Sequence, residues 1–184
     1  KPTLDRIAAI KTPREYQIVT AALDRNGENT MMYGIGIDAD QRNSAWNLVN
    51  IGQGGLGLGT RDYYTSDNPD NKKVLEAYKT YLTKLFMLVG NDEATAKSKM
   101  QKVIDIETQI AKASYDEVKL RDIDANYHKM TYTDLVDQFP GIDWGNVLLA
   151  SGLPAIDTID VAEPEPSHEG EKILANTPLD DLKT

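Results

Sequence analysis

The stretch at residues 30–64, TMMYGIGIDADQRNSAWNLVNIGQGGLGLGTRDYY, constrains the fold more than any other part of the chain. Two runs within it, residues 31–37 and 46–51, alternate in side-chain character in the way that is typical of strands with one buried face. The polar residues between the runs favour a turn. The sequence therefore predicts an antiparallel β-hairpin over about residues 31–51, packed on helices because an isolated hairpin is only marginally stable in water.

A glycine-rich segment, GQGGLGLGTRDYY, follows the second predicted strand. Five of the eight residues from Gly52 to Gly59 are glycine. This density excludes regular helix or strand, and it predicts a loop whose backbone adopts conformations closed to other residues or packs closely against its neighbours. We expect Leu56 and Leu58 to anchor this loop in a core.

The polar cluster that ends this segment, Arg61, Asp62, Tyr63 and Tyr64, allows two interpretations. In the functional one, Arg61 reaches a substrate carboxylate or a partner lobe. In the structural one, Arg61 and Asp62 tether the glycine-rich loop through hydrogen bonds, beside a buried tyrosine. Loop tethering is the commoner use of such groups.

The rest of the chain is predicted to be mainly α, with about seven helices packed as antiparallel neighbours. The segment TPRE at Thr12 combines a cap, a first-position proline and a reciprocal acid, and Gly27 ends that helix. A helix from Pro69 to about Val89 and another from about residue 92 to 113 form a hairpin around a glycine. Apolar residues at helical spacing are expected to face the core: Val74, Leu75, Tyr78, Tyr81, Leu82, Leu85, Phe86 and Val89 in the first, and Met100, Val103, Ile104, Ile110 and Ala111 in the second.

The carboxy-terminal third has a less regular pattern. Residues 114–130 favour a loop or short extended structure, and residues 155–161 favour a short strand. The polar, proline-containing segment EPEPSHEGE at residues 163–171 is predicted to be a surface loop or linker. A last helix is expected to begin after Thr177. Because it begins so close to the end, and because the chain opens on a lysine, we expect the sequence to be a segment of a longer protein.

Length and composition favour one soluble domain over residues 1–184. The formal net charge of −9 argues against a nucleic-acid partner, whose phosphates would be repelled. The absence of cysteine excludes disulfides, cysteine-ligated zinc and thiol catalysis. No apolar run approaches the roughly 20 residues of a membrane span, so we expect no membrane contact by this segment.

Three short motifs suggest ligand sites, but each lacks part of its pattern. Gly52, Gly54 and Gly57 satisfy G-x-G-x-x-G, but a dinucleotide site needs a helix that opens at the third glycine. The segment from Asp38 resembles a calcium loop without its glycine and final glutamate, so a hairpin turn is favoured. The two histidines, His128 and His168, have no third ligand at zinc spacing. The sequence therefore predicts no catalytic residue, metal ligand or cofactor site.

The run GIGIDADQRNS, followed by GGLGLGTRDYY, resembles the amino-terminal lobe of the neprilysin and endothelin-converting-enzyme family of zinc metallopeptidases. The bacterial endopeptidase O branch is the nearest likeness. Family members typically read LGLPxRDYY, and this chain has Gly59 and Thr60 in place of the proline pair. The resemblance continues through AKASYDEVKLRDIDANYHKMTYTDL and LANTPLDDLKT, so it spans essentially the whole chain.

The resemblance implies a helical capping lobe that gates substrate access to a zinc-bearing carboxy-terminal lobe of the same polypeptide. That polypeptide is expected to be an extracytoplasmic endopeptidase that cleaves oligopeptides, whereas this segment lacks H-E-x-x-H and is expected to be inactive alone. The family-signature loop is expected to be structural; it comprises Gly55, Leu56, Gly57, Leu58, Arg61, Asp62, Tyr63 and Tyr64. The alternatives are a stand-alone helical binding or scaffold domain and, less in keeping with the motifs, a dinucleotide enzyme.

Overall fold

The computed structural model describes residues 2–28, 31–153 and 155–184, which form ten helical segments and four strands. Thr30, the first residue of the predicted hairpin and loop stretch, lies outside the described residues, as does Lys1. The elements in chain order are α1 (Pro2–Ala8), α2 (Pro13–Asp24), β1 (Tyr33–Asp40), β2 (Asn43–Gln53), α3 (Asp62–Thr65), α4 (Pro69–Leu88), α5 (Glu93–Ala113), α6 (Glu117–Leu120), β3 (Lys129–Thr131), α7 (Tyr132–Gln138), α8 (Trp144–Ala150), β4 (Thr158–Val161), α9 (Pro164–Asn176) and α10 (Leu179–Leu182).

The predicted hairpin is the β1–β2 pair, but it belongs to a larger mixed sheet with strand order β1-β2-β4-β3. β4 runs parallel to β2 over three residue pairs from Val49 to Ile51, and β3 runs antiparallel to β4. The prediction of a single hairpin laid on helices is therefore incomplete. β3 has three residues, which is too short for alternation to reveal a strand, whereas β4 lies within residues 155–161, where a short strand is predicted.

Local capping chemistry places the helix boundaries as the sequence predicts. The Oγ1 atom of Thr12 accepts a hydrogen bond from the backbone N–H of Glu15 at 3.1 Å, and a proline opens α2. Asn68 and Asp92 cap α4 and α5 in the same way. Gly90, between these two helices, has a φ of +102°, a left-handed conformation that glycine adopts without steric cost.

The segment predicted to be a surface loop or linker is instead helix α9, and His168 lies on this helix. Pro164 stands in its first turn, where a missing N–H costs nothing. Its buried positions recur at helical spacing, but three of the five residues are Pro166, Ser167 and Gly170. Small and polar residues do not register as an apolar stripe, so the sequence conceals the helix.

The core joins buried residues of β1, β2 and β4 to side chains from helices α2, α5, α7, α8, α9 and α10. Ile51 and Ile159 are fully buried in adjacent strands. Trp144 of α8 packs 5.6 Å from the ring of Tyr33, and its indole N–H donates to the carbonyl oxygen of Phe139 at 3.0 Å. A buried indole with its polar atom satisfied combines a large apolar surface with no hydrogen-bonding penalty.

The long hairpin of α4 and α5 is less buried than the apolar pattern predicts. In α5, Ile104, Ile110 and Ala111 are buried, while Met100 and Val103 are half-buried. In α4 only Leu82 is buried. The inward placement expected for four residues of this predicted helix is wrong, since they are 38–58% exposed: Val74, Tyr81, Leu85 and the C-cap residue Val89.

Two of the three isoleucines of the hairpin provide a matched test of this core. Ile51 is 0% exposed and Ile37 is 61% exposed. Ile51→Ala is expected to lower the free energy of unfolding by about 2–5 kcal/mol, because it leaves a cavity in the sheet face. Ile37→Ala is expected to cost under about 1 kcal/mol. Urea denaturation followed by circular dichroism measures both, and equal losses would contradict this placement of the core.

Candidate functional site

The glycine-rich loop passes so close to its neighbours that side chains are excluded at particular positions. A Cβ atom at Gly57 would lie 2.0 Å from the phenolic oxygen of Tyr78 and 2.9 Å from Oε1 of Glu107. Gly55 has a φ of +77°, and a Cβ there would lie 2.9 Å from the Cα of Met32. Leu56 packs against the core, and Leu58 is half-buried.

The buried carboxylate of Glu107, on α5, receives three hydrogen bonds from this region. Its Oε1 atom accepts from the backbone N–H of Gly57 at 3.1 Å and from the hydroxyl of Tyr78, on α4, at 3.1 Å. Its Oε2 atom accepts from the hydroxyl of Tyr64, on α3, at 2.9 Å. That hydroxyl also accepts from the backbone N–H of Leu58 at 3.0 Å. We call Glu107, Gly57, Tyr64 and Tyr78 the Glu107 cluster; it joins the loop to three helices.

The ionisation of the Glu107 cluster follows from its burial. Burial raises the pKa of the Glu107 carboxyl, and the hydrogen bonds from Tyr64, Tyr78 and Gly57 oppose that rise. Burial and the nearby carboxylate raise the pKa of both phenols, so the two tyrosines keep their protons and remain donors. Because the pKa of Glu107 is higher in the folded state, its ionisation reduces stability as pH rises from the unfolded-state pKa through the folded-state pKa.

Two side chains of the RDYY segment form hydrogen bonds within the chain, and the other two do not form any within the described residues. The guanidinium of Arg61 donates to the carbonyl oxygen of Ser114 at 2.9 Å, and Tyr64 is buried in the Glu107 cluster. Asp62 is exposed and Tyr63 is half-buried, and neither side chain forms a hydrogen bond within the described residues. This geometry favours the tethering interpretation for Arg61 and Tyr64, and it leaves Asp62 and Tyr63 available to a partner.

A second polar network, which the sequence did not reveal, holds the end of β2. The backbone N–H of Gln53 donates to Oε2 of Glu163 at 2.7 Å. The side-chain amide of Gln53 donates to the carbonyl oxygen of Tyr115 at 3.2 Å and accepts from its N–H at 2.7 Å. The Tyr115 hydroxyl donates to Glu165. Burial raises the pKa of Glu163. These partners are 50 to 110 residues apart, so no local motif marks them.

A third network lies at the turn of the hairpin, where the segment from Asp38 forms a β-turn. The ammonium of Lys129 donates to Asp40 at 2.6 Å and the hydroxyl of Tyr127 donates to it at 2.9 Å. The bond from Lys129 lowers the pKa of Asp40 to about 2. The backbone N–H of His128 donates to the buried carboxylate of Asp160 at 2.6 Å. Both carboxylates therefore hold the segment around β3 against the other strands of the sheet.

The two histidines lie in different surroundings. His128 precedes β3, and its Nδ1 atom is buried with no hydrogen-bond partner in the described structure. The ring of His168 stacks on Phe139 with 4.3 Å between centroids, and its Nδ1 atom lies 3.2 Å from Oε2 of Glu171. Among the described residues, no group of three or more histidines and carboxylates is arranged to hold a metal ion. Likewise, Gly57 does not open a helix, since α3 begins at Asp62.

Comparison with known proteins places the chain in a family context. A family model described as Peptidase family M13 matches residues 1–184. Endothelin-converting enzyme 1 of Homo sapiens is 34% identical over 155 residues, which cover 82% of this chain and 18% of that enzyme. The zinc metalloprotease Zmp1 of Mycobacterium tuberculosis, in complex with an inhibitor, is 27% identical with a TM-score of 0.92, over 99% of this chain and 28% of that one.

Three further solved structures resemble this chain. Zmp1 in an open state also gives a TM-score of 0.92, and in a partial open state it gives 0.74. PepO from Lactobacillus rhamnosis is 15% identical with a TM-score of 0.69 over 98% of this chain and 30% of its own, which shows a shared fold alone. The chain thus spans about a fifth of the length of the curated relatives it matches and under a third of these solved chains.

The close approach at Gly57 can be tested with a matched glycine. Gly57→Ala is expected to cost about 1–3 kcal/mol of unfolding free energy, because the new methyl group displaces Tyr78 from Glu107. Gly36→Ala is the control, since a Cβ there meets nothing within 4 Å. Thermal denaturation monitored by circular dichroism compares the two. Melting temperatures lowered equally in both variants would show that the contact at Gly57 is not what matters.

The two adjacent tyrosines test the Glu107 cluster itself. Tyr64→Phe removes a donor to Glu107 and an acceptor for the Leu58 N–H, and it is expected to cost about 1–3 kcal/mol because both partners stay buried. Tyr63→Phe removes a hydroxyl without a hydrogen bond and is expected to change stability by less than about 0.5 kcal/mol. Urea denaturation at neutral pH measures the difference. If Tyr63→Phe were the more damaging variant, the assignment of Tyr64 as the tethering residue would fail.

Proposed function

This chain belongs to peptidase family M13, and from that premise we propose that it forms part of the non-catalytic amino-terminal lobe of a zinc metalloendopeptidase. The lobe caps a cavity in front of a zinc-bearing carboxy-terminal lobe of the same polypeptide. By limiting entry to that cavity, it restricts the substrates to oligopeptides. The proposal covers the whole protein's activity, of which this chain supplies a fraction of the length.

The observation that carries the proposal is that the polar groups in and around the signature loop form hydrogen bonds within the chain itself. Each oxygen of Glu107 accepts hydrogen bonds from the chain itself, and Arg61 is committed to a backbone carbonyl. Hydrolysis in this family requires a metal that activates water and a base that takes its proton. The described residues do not fit a zinc site, so we derive no catalytic step from them. We infer that these polar groups stabilise the fold of the segment, and that the segment contributes to the wall of a cavity.

Support for a gating role comes from the structural relatives. Zmp1 has been observed with an inhibitor, in an open state and in a partial open state. This chain superimposes equally well, with a TM-score of 0.92, on the inhibitor complex and the open state. A segment that keeps one fold in both states is suited to move as a unit. The lower value of 0.74 for the partial open state marks a difference that such a movement does not explain.

The proposed partners are the catalytic lobe and, in the complete enzyme, oligopeptide substrates. By resemblance to endothelin-converting enzyme 1, we also propose an extracytoplasmic location. None of the described helices combines the length and apolar character needed to cross a membrane. With a formal net charge of −9, the segment is proposed to have no nucleic-acid partner.

Peptide hydrolysis tests the proposal at two lengths of chain. The purified 184-residue chain is expected to cleave no fluorogenic oligopeptide, with or without added zinc. The longer polypeptide is expected to cleave it in a chelator-sensitive reaction, and to leave a large unfolded protein such as reduced casein intact. Chelator-sensitive turnover by the 184-residue chain would reveal a metal site within it. A longer polypeptide that cleaves casein as readily as the short peptide would refute the capping role.

A further inference from the structure

A solvent-exposed apolar stripe runs along α4. Val74, Tyr81, Leu85 and Leu88 are 38%, 58%, 41% and 84% exposed. Their spacings of seven, four and three residues place all four on one face of the helix. Leu82, which is buried, lies about 100° from Tyr81 around the helix, so the buried side of α4 borders the stripe, and α4 packs on α5. We call these four residues the α4 stripe. Exposed apolar surface of this regularity is typical of a face that another element covers.

The α4 stripe leads into a cavity in the same chain. The ring of Tyr81 stacks on Tyr78 with 6.4 Å between centroids and an interplanar angle of 18°. Tyr78 in turn lines a cavity of about 390 Å³ together with Leu56, Val103 and Ile106. Tyr78 therefore links the stripe to the cavity, which Glu107 also lines.

We propose that this surface docks an amphipathic helix from the remainder of the same, longer polypeptide. This proposal rests on the proposed function, since it needs a polypeptide that extends beyond these 184 residues. The matched relatives are long enough to supply it, because the chain covers 19% of the endothelin-converting enzyme 1 of Cavia porcellus and 28% of Zmp1. The apolar side of that helix lies along the α4 stripe, and one of its large side chains fills the cavity.

Charge on α4 distinguishes this occupant from a second copy of the chain. The helix carries four lysines and two acidic residues, in a chain with a net charge of −9. Lys84 lies three residues from Tyr81 and four from Leu88, at the margin of the stripe, and it forms no ion pair within the described residues. The other three lysines of α4 pair with carboxylates of this chain, whereas Lys84 has no such partner among the described residues, and a second α4 would bring another lysine to the interface. The occupant therefore carries a carboxylate opposite Lys84.

Thiol labelling of the longer polypeptide tests the proposal. Leu85 and Met87 have matched exposure in this chain, 41% and 44%, but residues two apart on an α-helix lie about 200° apart. Leu85→Cys is expected to react with a maleimide at least about tenfold more slowly than Met87→Cys in the longer polypeptide, because the docked helix covers only the stripe. The 184 residues contain no cysteine, and mass spectrometry of the labelled peptides identifies the site.

The outcomes separate the competing occupants. Similar reaction rates for the two cysteines in the longer polypeptide would overturn the proposal. Protection of Leu85→Cys in the 184-residue chain alone, with a dimer mass by light scattering, would assign the stripe to a second copy. Protection that requires added phosphatidylcholine vesicles would assign it to a membrane surface. Either result would replace the docked helix.

A charge variant adds an independent measurement. Lys84→Glu is expected to lower the melting temperature of the longer polypeptide, because it opposes the carboxylate of the docked helix. Lys112→Glu, at an exposed position of α5 without an ion pair in the described structure, is the control. Equal melting temperatures for the two variants would overturn the charge assignment. Labelling needs no peptidase activity, so a longer polypeptide that cleaves nothing but protects Leu85→Cys refutes the proposed function and retains the docking.

Discussion

The buried carboxylate of Glu107 is the interaction on which the arrangement of the glycine-rich loop depends. It lies on α5, and its donors come from the loop, from α3 and from α4. A carboxylate without these three donors would be costly to bury, and the donors without the carboxylate would be equally unsatisfied. The absence of a side chain at Gly57 lets the loop backbone come within hydrogen-bonding distance. The glycine at position 57 and the buried acid at position 107 therefore depend on each other, because the loop can bond to Glu107 only where it carries no side chain.

Local chemistry explains the parts of the fold that the sequence predicts well. Thr12, Asn68 and Asp92 each satisfy a helix N–H within three residues, and the two alternating runs of the hairpin, residues 31–37 and 46–51, overlap strands β1 and β2. These signals are complete within a short window, so tertiary context does not alter them. Their reliability comes from the short range of the interactions involved, and it does not extend to the arrangement of the elements.

The features that the sequence conceals depend on distant partners. Helix α9 buries Pro166, Ser167 and Gly170, which form no apolar stripe, and it contacts α5, β1 and β2. Strand β3 has only three residues, and it becomes a strand because β4 supplies its hydrogen bonds. Glu107 stands in the middle of a predicted helix, and nothing in its neighbourhood marks it as a buried acceptor. In each case the decisive contact is with a residue tens of positions away, which periodicity cannot detect.

For α4 the sequence predicts more burial than the structure has, and the apolar residues themselves indicate why. Their helical spacing correctly predicts a helix, and it also implies a buried face that this chain only partly provides. A hydrophobic pattern records the environment of the whole protein, whereas 184 residues supply only the neighbours that they contain. Under the docking proposal, the exposed half of the pattern marks where the rest of the polypeptide packs. The hydrogen bonds of Arg61 and Tyr64 lie within the segment itself, so these two groups stabilise its interior.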